Sequence, residues 1–249
     1  MKTSDFLVKD TLLRLGSSLK ELLKYKGDPM SKNLSLHLSQ LLASRLCHDL
    51  IAPVGALNLG IDYLSDQTSI NAESLEMLRE SGEKASAKLV FYRAAFGFLG
   101  KERSISERDA RHAMITLANH CNIKVEWGHN HAEDIQHAEN KIKALLTLFL
   151  IVVESMPKGG YIKIGATPET GIESLQSKGP VITVPQDVQN AFSREILCLE
   201  EVTPRTTPVF IARELCESLD LAPSLQVEDK KELTITFFKH NERVQHLRA

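Results

Sequence analysis

Three things are missing from this sequence, and each absence removes a class of function. The first is a charge excess: 30 Lys and Arg stand against 32 Asp and Glu, a formal net charge of −2. Both signs are spread along the chain, leaving no electrostatic footprint for DNA or RNA. The second is a cysteine framework. Cys47, Cys121, Cys198 and Cys216 are far apart and form no CxxC pair, so they read as reduced core or helix residues, not as a disulfide frame or zinc site. The third is a long hydrophobic run. The longest, Ala144 to Val153 with Thr147 inside it, is too short to span a bilayer. The N-terminal MKTSDFLVKD mixes acids with bases and holds no cleavable apolar core, which predicts no signal peptide and a cytoplasmic protein.

What is present is an ordinary globular composition, 43% hydrophobic and 25% charged over 249 residues. That length allows one large domain or two modest ones. Residues 1–30 carry an amphipathic stretch (Phe6, Leu7, Leu12, Leu13, Leu15, Leu19, Leu22, Leu23) that ends at Gly27-Asp28-Pro29 and predicts an extra N-terminal helix. From Leu34 the apolar positions run Leu38, Leu42, Leu46, Leu50, Val54, Leu57, Ile61 and Leu64. Steps of three and four predict one long helix with a buried stripe. The polar segment Ser65 to Asn71 breaks it. A second helix is expected from about Ala72 to Leu99, with Leu75, Leu78, Gly82, Ala85, Leu89, Tyr92, Phe96 and Leu99 forming a heptad seam. The pair makes an antiparallel hairpin, and so continuous a seam calls for a second copy and a four-helix bundle.

After Gly100 the texture changes to mixed helices and strands. Helices are expected at Glu107–Cys121, Ala144–Ser155 and Thr207–Leu219, and strands at Lys124–Trp127, Tyr161–Ala166, Val181–Val184, Leu225–Glu228 and Leu233–Phe238. Their order predicts an α/β sandwich. No internal repeat or low-complexity segment is present.

At 100° per residue, His48 lies roughly 160° from Leu46 and Leu50 and so points away from the buried stripe. Leu41, Ser44, Arg45, Ile51, Ala52, Gly55, Leu59 and Asp62 share its side. Small residues beside Leu and Ile on a face turned to water suit docking by another protein. Arg45, one turn before His48, can meet a phosphoryl oxygen or a carboxylate. Pro53 has no N–H, so the carbonyl of Asp49 loses its intrahelical partner and the helix should bend there.

Other candidates have plainer readings. Gly159-Gly160 follows a helix with no Lys-Ser/Thr after it, so it reads as a C-terminal cap and turn, not a P-loop. His112, His120, His129, His131 and His137 lie near Cys121, Glu133 and Asp134, but the stretch 128–134 reads as a polar loop without helical ligand spacing. Ser44, His48 and Asp49 contain the residue types of a hydrolase triad. Asp49 points about 100° away from His48, however, and no nucleophile elbow is present.

The string Arg45-Leu46-Cys47-His48-Asp49-Leu50-Ile51-Ala52-Pro53 resembles the H-box of sensor histidine kinases: the phosphorylated histidine, an acidic neighbour, and a proline five residues on. The wider string SRLCHDLIAPVGALNLG is similar to the ChpT-type histidine phosphotransferases of alphaproteobacteria, over roughly residues 34–240. The second half departs from the kinases. The segment 145–160 has the shape of their asparagine-bearing nucleotide helix, but Thr147 and Ile151 stand where the asparagines belong. An aliphatic side chain cannot ligate Mg²⁺. There is no DxGxG loop, and the place of the glycine-rich lid is taken by Thr203-Pro204-Arg205-Thr206-Thr207-Pro208.

The resemblance implies three segments: an N-terminal extension 1–33, a dimerisation and phosphotransfer hairpin 34–100, and a degenerate kinase-ATPase-like α/β domain 101–249. It implies that His48 takes a phosphoryl group from the aspartate of a hybrid-kinase receiver and passes it to response-regulator receivers of cell-cycle control. Asp49 would orient the imidazole or accept its proton. No cofactor of the chain's own is implied, the receiver supplying Mg²⁺ and a lysine. Two alternatives use the same residues: a non-catalytic dimeric scaffold that binds receivers, and a divergent ATP-dependent kinase.

Overall fold

The structure, a computed structural model, describes residues 29–65, 72–97, 105–127, 139–166, 173–193 and 199–239. The expected helix before Pro29 lies outside them. The chain divides into two compact units, Met1–Ala43 and Ser44–Ala249. The described part of the first is the opening of helix α1 (Pro29–Ser65), where Leu36 is exposed and Ser39 Oγ donates to the Ser35 carbonyl at 2.8 Å.

In the second unit, the rest of α1 runs beside α2 (Ala72–Phe96). Leu78 fills the space in front of Gly60, where an added Cβ would come within 2.5 Å of Leu78 Cδ2. The seam is only partly covered in one chain. Ala85 and Tyr92 are buried, but Val54, Ile61, Leu75 and Leu89, all expected on buried stripes, are exposed. Two helices can cover only one side of each other, and these apolar residues lie on the uncovered side.

Next come α3 (Glu107–Asn119), β1 (Ile123–Trp127), α4 (Glu139–Glu154), β2 (Gly160–Ala166) and β3 (Glu173–Lys178). They are followed by α5 (Gln186–Ser193), a 3₁₀ turn at Leu199–Glu201, α6 (Thr207–Glu217), β4 (Leu221–Glu228) and β5 (Glu232–Lys239). The five strands form one sheet in the order β1-β2-β3-β5-β4. Strands β1 and β2 are parallel, joined through α4, and all other neighbours are antiparallel. Along β2 the residues alternate, with Ile162 and Ile164 buried and Lys163 exposed. The same alternation puts Leu175, Leu233, Ile235 and Phe237 on the buried face. One covered face gives a two-layer sandwich.

Helix α4 is the centre of that core. Leu146 to Val153 are buried without interruption, as expected of a helix that is apolar all round. It packs against α6 and α2, and Phe91 of α2 meets Phe149 with ring centroids 6.2 Å apart. The end of the hairpin thus belongs to the same core as the sheet. Beyond α4, Gly159 takes φ +71, where a Cβ would lie 2.4 Å from the Asn122 carbonyl oxygen. The Gly159-Gly160 pair turns the chain into β2 in a space only glycine fits.

One strand was misplaced by sequence pattern. Val181–Val184 is not a strand: its N–H groups bond outside any ladder, Ile182 to the Lys230 carbonyl at 2.7 Å and Thr183 to the Ser155 carbonyl at 2.8 Å. Pro180 and Pro185 flank it and have no N–H to give a ladder. The strand in the middle of the sheet is β3, whose sequence ESLQSK is too polar to announce itself. Its place between β2 and β5 overrides its weak propensity.

Candidate functional site

The middle of α1 holds the candidate residues His48 and Asp49. His48 is open to solvent, its side chain 85% accessible, with Nδ1 3.2 Å from Asp49 Oδ1. Asp49 itself is largely covered and is held from two helices, α1 and α2. Its Oδ2 accepts from Arg45 Nε at 2.8 Å, one turn earlier on α1, and from the Tyr92 hydroxyl on α2. Arg45 reaches on with Nη2 to Glu154 Oε1, on the last turn of α4. The chain of contacts runs Glu154, Arg45, Asp49, His48.

Pro53 sits within α1, which continues through it as helix. The Asp49 carbonyl, deprived of its N–H partner by that proline, receives Lys88 Nζ at 2.9 Å. A lysine from α2 therefore replaces the missing backbone donor. Asp49 is held at both its carboxylate and its carbonyl.

Burial alone would raise the Asp49 carboxyl. The Tyr92 hydroxyl, the Arg45 guanidinium and the bond from His48 outweigh burial and hold it below the ordinary aspartate range. Burial likewise opposes the Arg45 charge, but Glu154 and Asp49 more than offset it and raise its value. Burial, then the Asp49 carboxylate beside it, pushes the Tyr92 phenol up, so it stays a donor. The arrangement is an ionised carboxylate, fixed at one oxygen and presenting the other to an exposed imidazole.

The linkage has a definite sign. A carboxyl lowered in the fold adds stability that is complete above about pH 4, the unfolded aspartate range, and is lost as pH falls through its lowered value. Asp49→Asn is therefore expected to lower the thermal midpoint clearly at pH 7 and by much less near pH 2. Melts at the two pH values decide it; an equal deficit at both would contradict the assignment.

The docking face expected around His48 is open in most of its parts. Ile51 is 69% and Leu59 72% accessible. Ser44 and Ala52 are exposed, and a Cβ on Gly55 would meet nothing within 4 Å. Leu41, half-buried, belongs to the first of the two units. Arg45 requires a correction: it is 7% accessible and paired with two acids, so it is not an open docking group. Helical angle places it near His48, but α4 and α2 close over that side.

Thr147 and Ile151, in the positions of the kinase asparagines, are both buried, and the Thr147 hydroxyl donates to the Lys143 carbonyl of its own helix at 2.7 Å. Among the described residues, no group of three or more His, Cys, Asp and Glu is placed to hold a metal ion. His129, His131 and His137 lie outside the described residues. No described helix is long and apolar enough to cross a membrane.

Sequence reasoning missed Lys88, Glu154 and the role of Tyr92. Two signals were present. Lys88 and Tyr92 are four apart on α2 and so share a face, and Glu154 is the acid that ends the apolar run Ala144–Val153 of α4.

Comparison with known proteins bears on this site. The chain is 32% identical over 131 residues to the protein phosphotransferase ChpT of Brucella abortus, a stretch that is 52% of this chain and 61% of that protein. The match thus spans about three fifths of that relative's length. A solved bacterial phosphotransferase superposes with a TM-score of 0.67 at 24% identity, covering 82% of this chain and 96% of the other, and so shares the fold. Residues 107–231 match the model of the histidine phosphotransferase C-terminal domain. With half of its length in that match, the chain belongs to the family of proteins built on the histidine phosphotransferase C-terminal domain.

Proposed function

We propose that this protein is a cytoplasmic phosphorelay intermediate. His48 accepts a phosphoryl group from the aspartyl-phosphate of a hybrid-kinase receiver domain and passes it to the receivers of response regulators. The observation that carries this reading is an exposed imidazole whose Nδ1 faces a fixed carboxylate. With Nδ1–H bonded to Asp49, the lone pair on Nε2 is free to attack phosphorus. The N–P bond forms as the P–O bond to the receiver's aspartate breaks and its carboxylate leaves. Nδ1 keeps its proton, and the positive ring so formed faces Asp49. Transfer of this kind asks mainly for positioning and charge stabilisation, most of which comes from the receiver's Mg²⁺ and lysine.

ATP plays no part in this reading, which is supported by Ile151 and Thr147 being buried side chains without metal-binding oxygens to offer a nucleotide. The test is to mix the protein with a receiver phosphorylated on its aspartate and, separately, with labelled ATP and Mg²⁺. Acid-labile label is expected on His48 in the first mixture only. Label from ATP would favour a divergent kinase, and binding without label in either would favour a scaffold.

The exposed Val54, Ile61, Leu75 and Leu89 support a homodimer formed through the hairpin. Exposed apolar residues grouped along a helix are a mark of association sites. Leu89→Glu is expected to convert the dimer to monomer in light scattering at micromolar protein; a monomer for the unmodified protein would refute the dimer.

Receiver docking on the ground around His48 is read from Ile51 and Leu59. Ile51→Asp or Leu59→Asp should each weaken receiver binding by about 2 kcal/mol, roughly 30-fold in Kd. Label uptake from a small phosphodonor should be unchanged, since the nucleophile is untouched. Titration calorimetry and phosphoramidate labelling of each variant separate the two effects.

A further inference from the structure

We propose that Glu154, at the C-terminal end of α4, is a positioning residue for the phosphoryl-accepting histidine. It holds one end of the Arg45 guanidinium, so that Asp49 keeps one carboxylate oxygen for His48. The proposal rests on the reading of His48 as the acceptor and adds to it a task for the α/β part of the chain.

The geometry divides the Asp49 carboxylate in two. Oδ2 takes both inner donors, Arg45 Nε at 2.8 Å and the Tyr92 hydroxyl. Oδ1 faces His48 Nδ1 at 3.2 Å. That division is not what an arginine four residues from an aspartate does by default. The guanidinium is a planar fork whose favoured grip on a carboxylate uses two parallel bonds, one to each oxygen. Here the second arm of the fork, Nη2, is occupied by Glu154 Oε1, and Arg45 meets Asp49 through Nε alone. Glu154 thus keeps the fork from taking Oδ1.

The consequence reaches the reacting atom. A neutral imidazole has one N–H, and its other nitrogen carries the lone pair. An acceptor at Oδ1 favours the proton on Nδ1 and leaves Nε2, the nitrogen farther from the helix, as the nucleophile. Without Oδ1, an imidazole as exposed as that of His48 has no described partner to choose its tautomer.

The test uses the full chain with ¹⁵N-labelled histidine and reads the tautomer of neutral His48 by long-range ¹⁵N–¹H correlation. The unmodified protein is expected to carry the proton mainly on Nδ1. In Glu154→Gln the freed fork should close on both Asp49 oxygens. The Nε2–H form should then become the major one, and labelling by phosphoramidate should slow on the order of tenfold. The double variant Arg45→Met/Glu154→Gln removes the fork together with its holder, an exchange of an ion pair for apolar atoms that folds commonly tolerate. It should restore the Nδ1–H tautomer and most of the labelling rate.

A residue that merely braced the fold would leave the double variant no better than the single one, and that result overturns the proposal. So does an Nε2–H majority in the unmodified protein, a measurement that needs no variant to fold. Failure of the unmodified protein to take up label would instead strike at the reading of His48 as acceptor, because the tautomers are read without phosphoryl transfer.

Discussion

Replacing His48 with alanine is expected to abolish acid-labile phosphate uptake from a phosphorylated receiver while leaving receiver affinity and fold stability close to those of the unmodified protein. The chemical half of this expectation is a complete loss, since among the described residues His48 is the imidazole bonded to Asp49. The structural half follows from exposure. The His48 side chain is 85% accessible and, among the described residues, its one bond is to Asp49, so its removal uncovers little apolar area. Surface substitutions of this sort stay within about 0.5 kcal/mol. The docking face proposed above rests mainly on the exposed Ile51 and Leu59, which the substitution does not touch. Affinity by titration calorimetry, thermal melts and label transfer would be measured on the same preparation. Label persisting on the alanine variant would move the phosphoryl site elsewhere and make the scaffold reading the better one.

Replacing Arg45 with alanine is expected to have the largest effect on stability. Arg45 is 7% accessible and joins two carboxylates from different helices. Without it, the covered Asp49 carboxylate loses its cation, and the partly exposed Glu154 is left facing it. Removing one partner of a buried ion pair costs about 3 kcal/mol or more, which for a domain of this size lowers the thermal midpoint by roughly ten degrees. Label uptake should fall as well, because Glu154, left charged without its cation, repels the Asp49 carboxylate that His48 relies on. A midpoint within about two degrees of the unmodified protein would show that the cluster is ornamental to the fold. The contrast with Arg45→Met/Glu154→Gln is part of the expectation: losing both charges should be milder than losing the cation alone.

Much of the site was legible from local pattern. Helical spacing placed His48 opposite Leu46 and Leu50, and it is exposed; the same spacing put Ile51 and Leu59 beside it, and they are exposed too. The same arithmetic misplaced Arg45, because an angle on one helix does not say where another helix will lie. The two errors in the sheet have a common cause as well. Val181–Val184 looked like a strand because it is apolar, and β3 did not because it is polar. Strand identity was settled by which segments had free N–H groups and a neighbour to pair with.

By itself, then, the sequence determined what depends on covalent groups and on period. It determined two long helices with apolar seams, an outward histidine followed by an acid, the Asp49 carbonyl left without a donor by Pro53, and a glycine turn after α4. These are properties of a few consecutive residues, and short-range geometry is enough to set them. The tertiary structure alone decided which groups answer them. Lys88, 39 residues further on, fills the place of the missing N–H, and Glu154, 109 residues beyond Arg45, takes the other end of its guanidinium. Such partners are chosen by how α2 and α4 pack against α1, and packing is a property of the whole core that no repeat in the chain records.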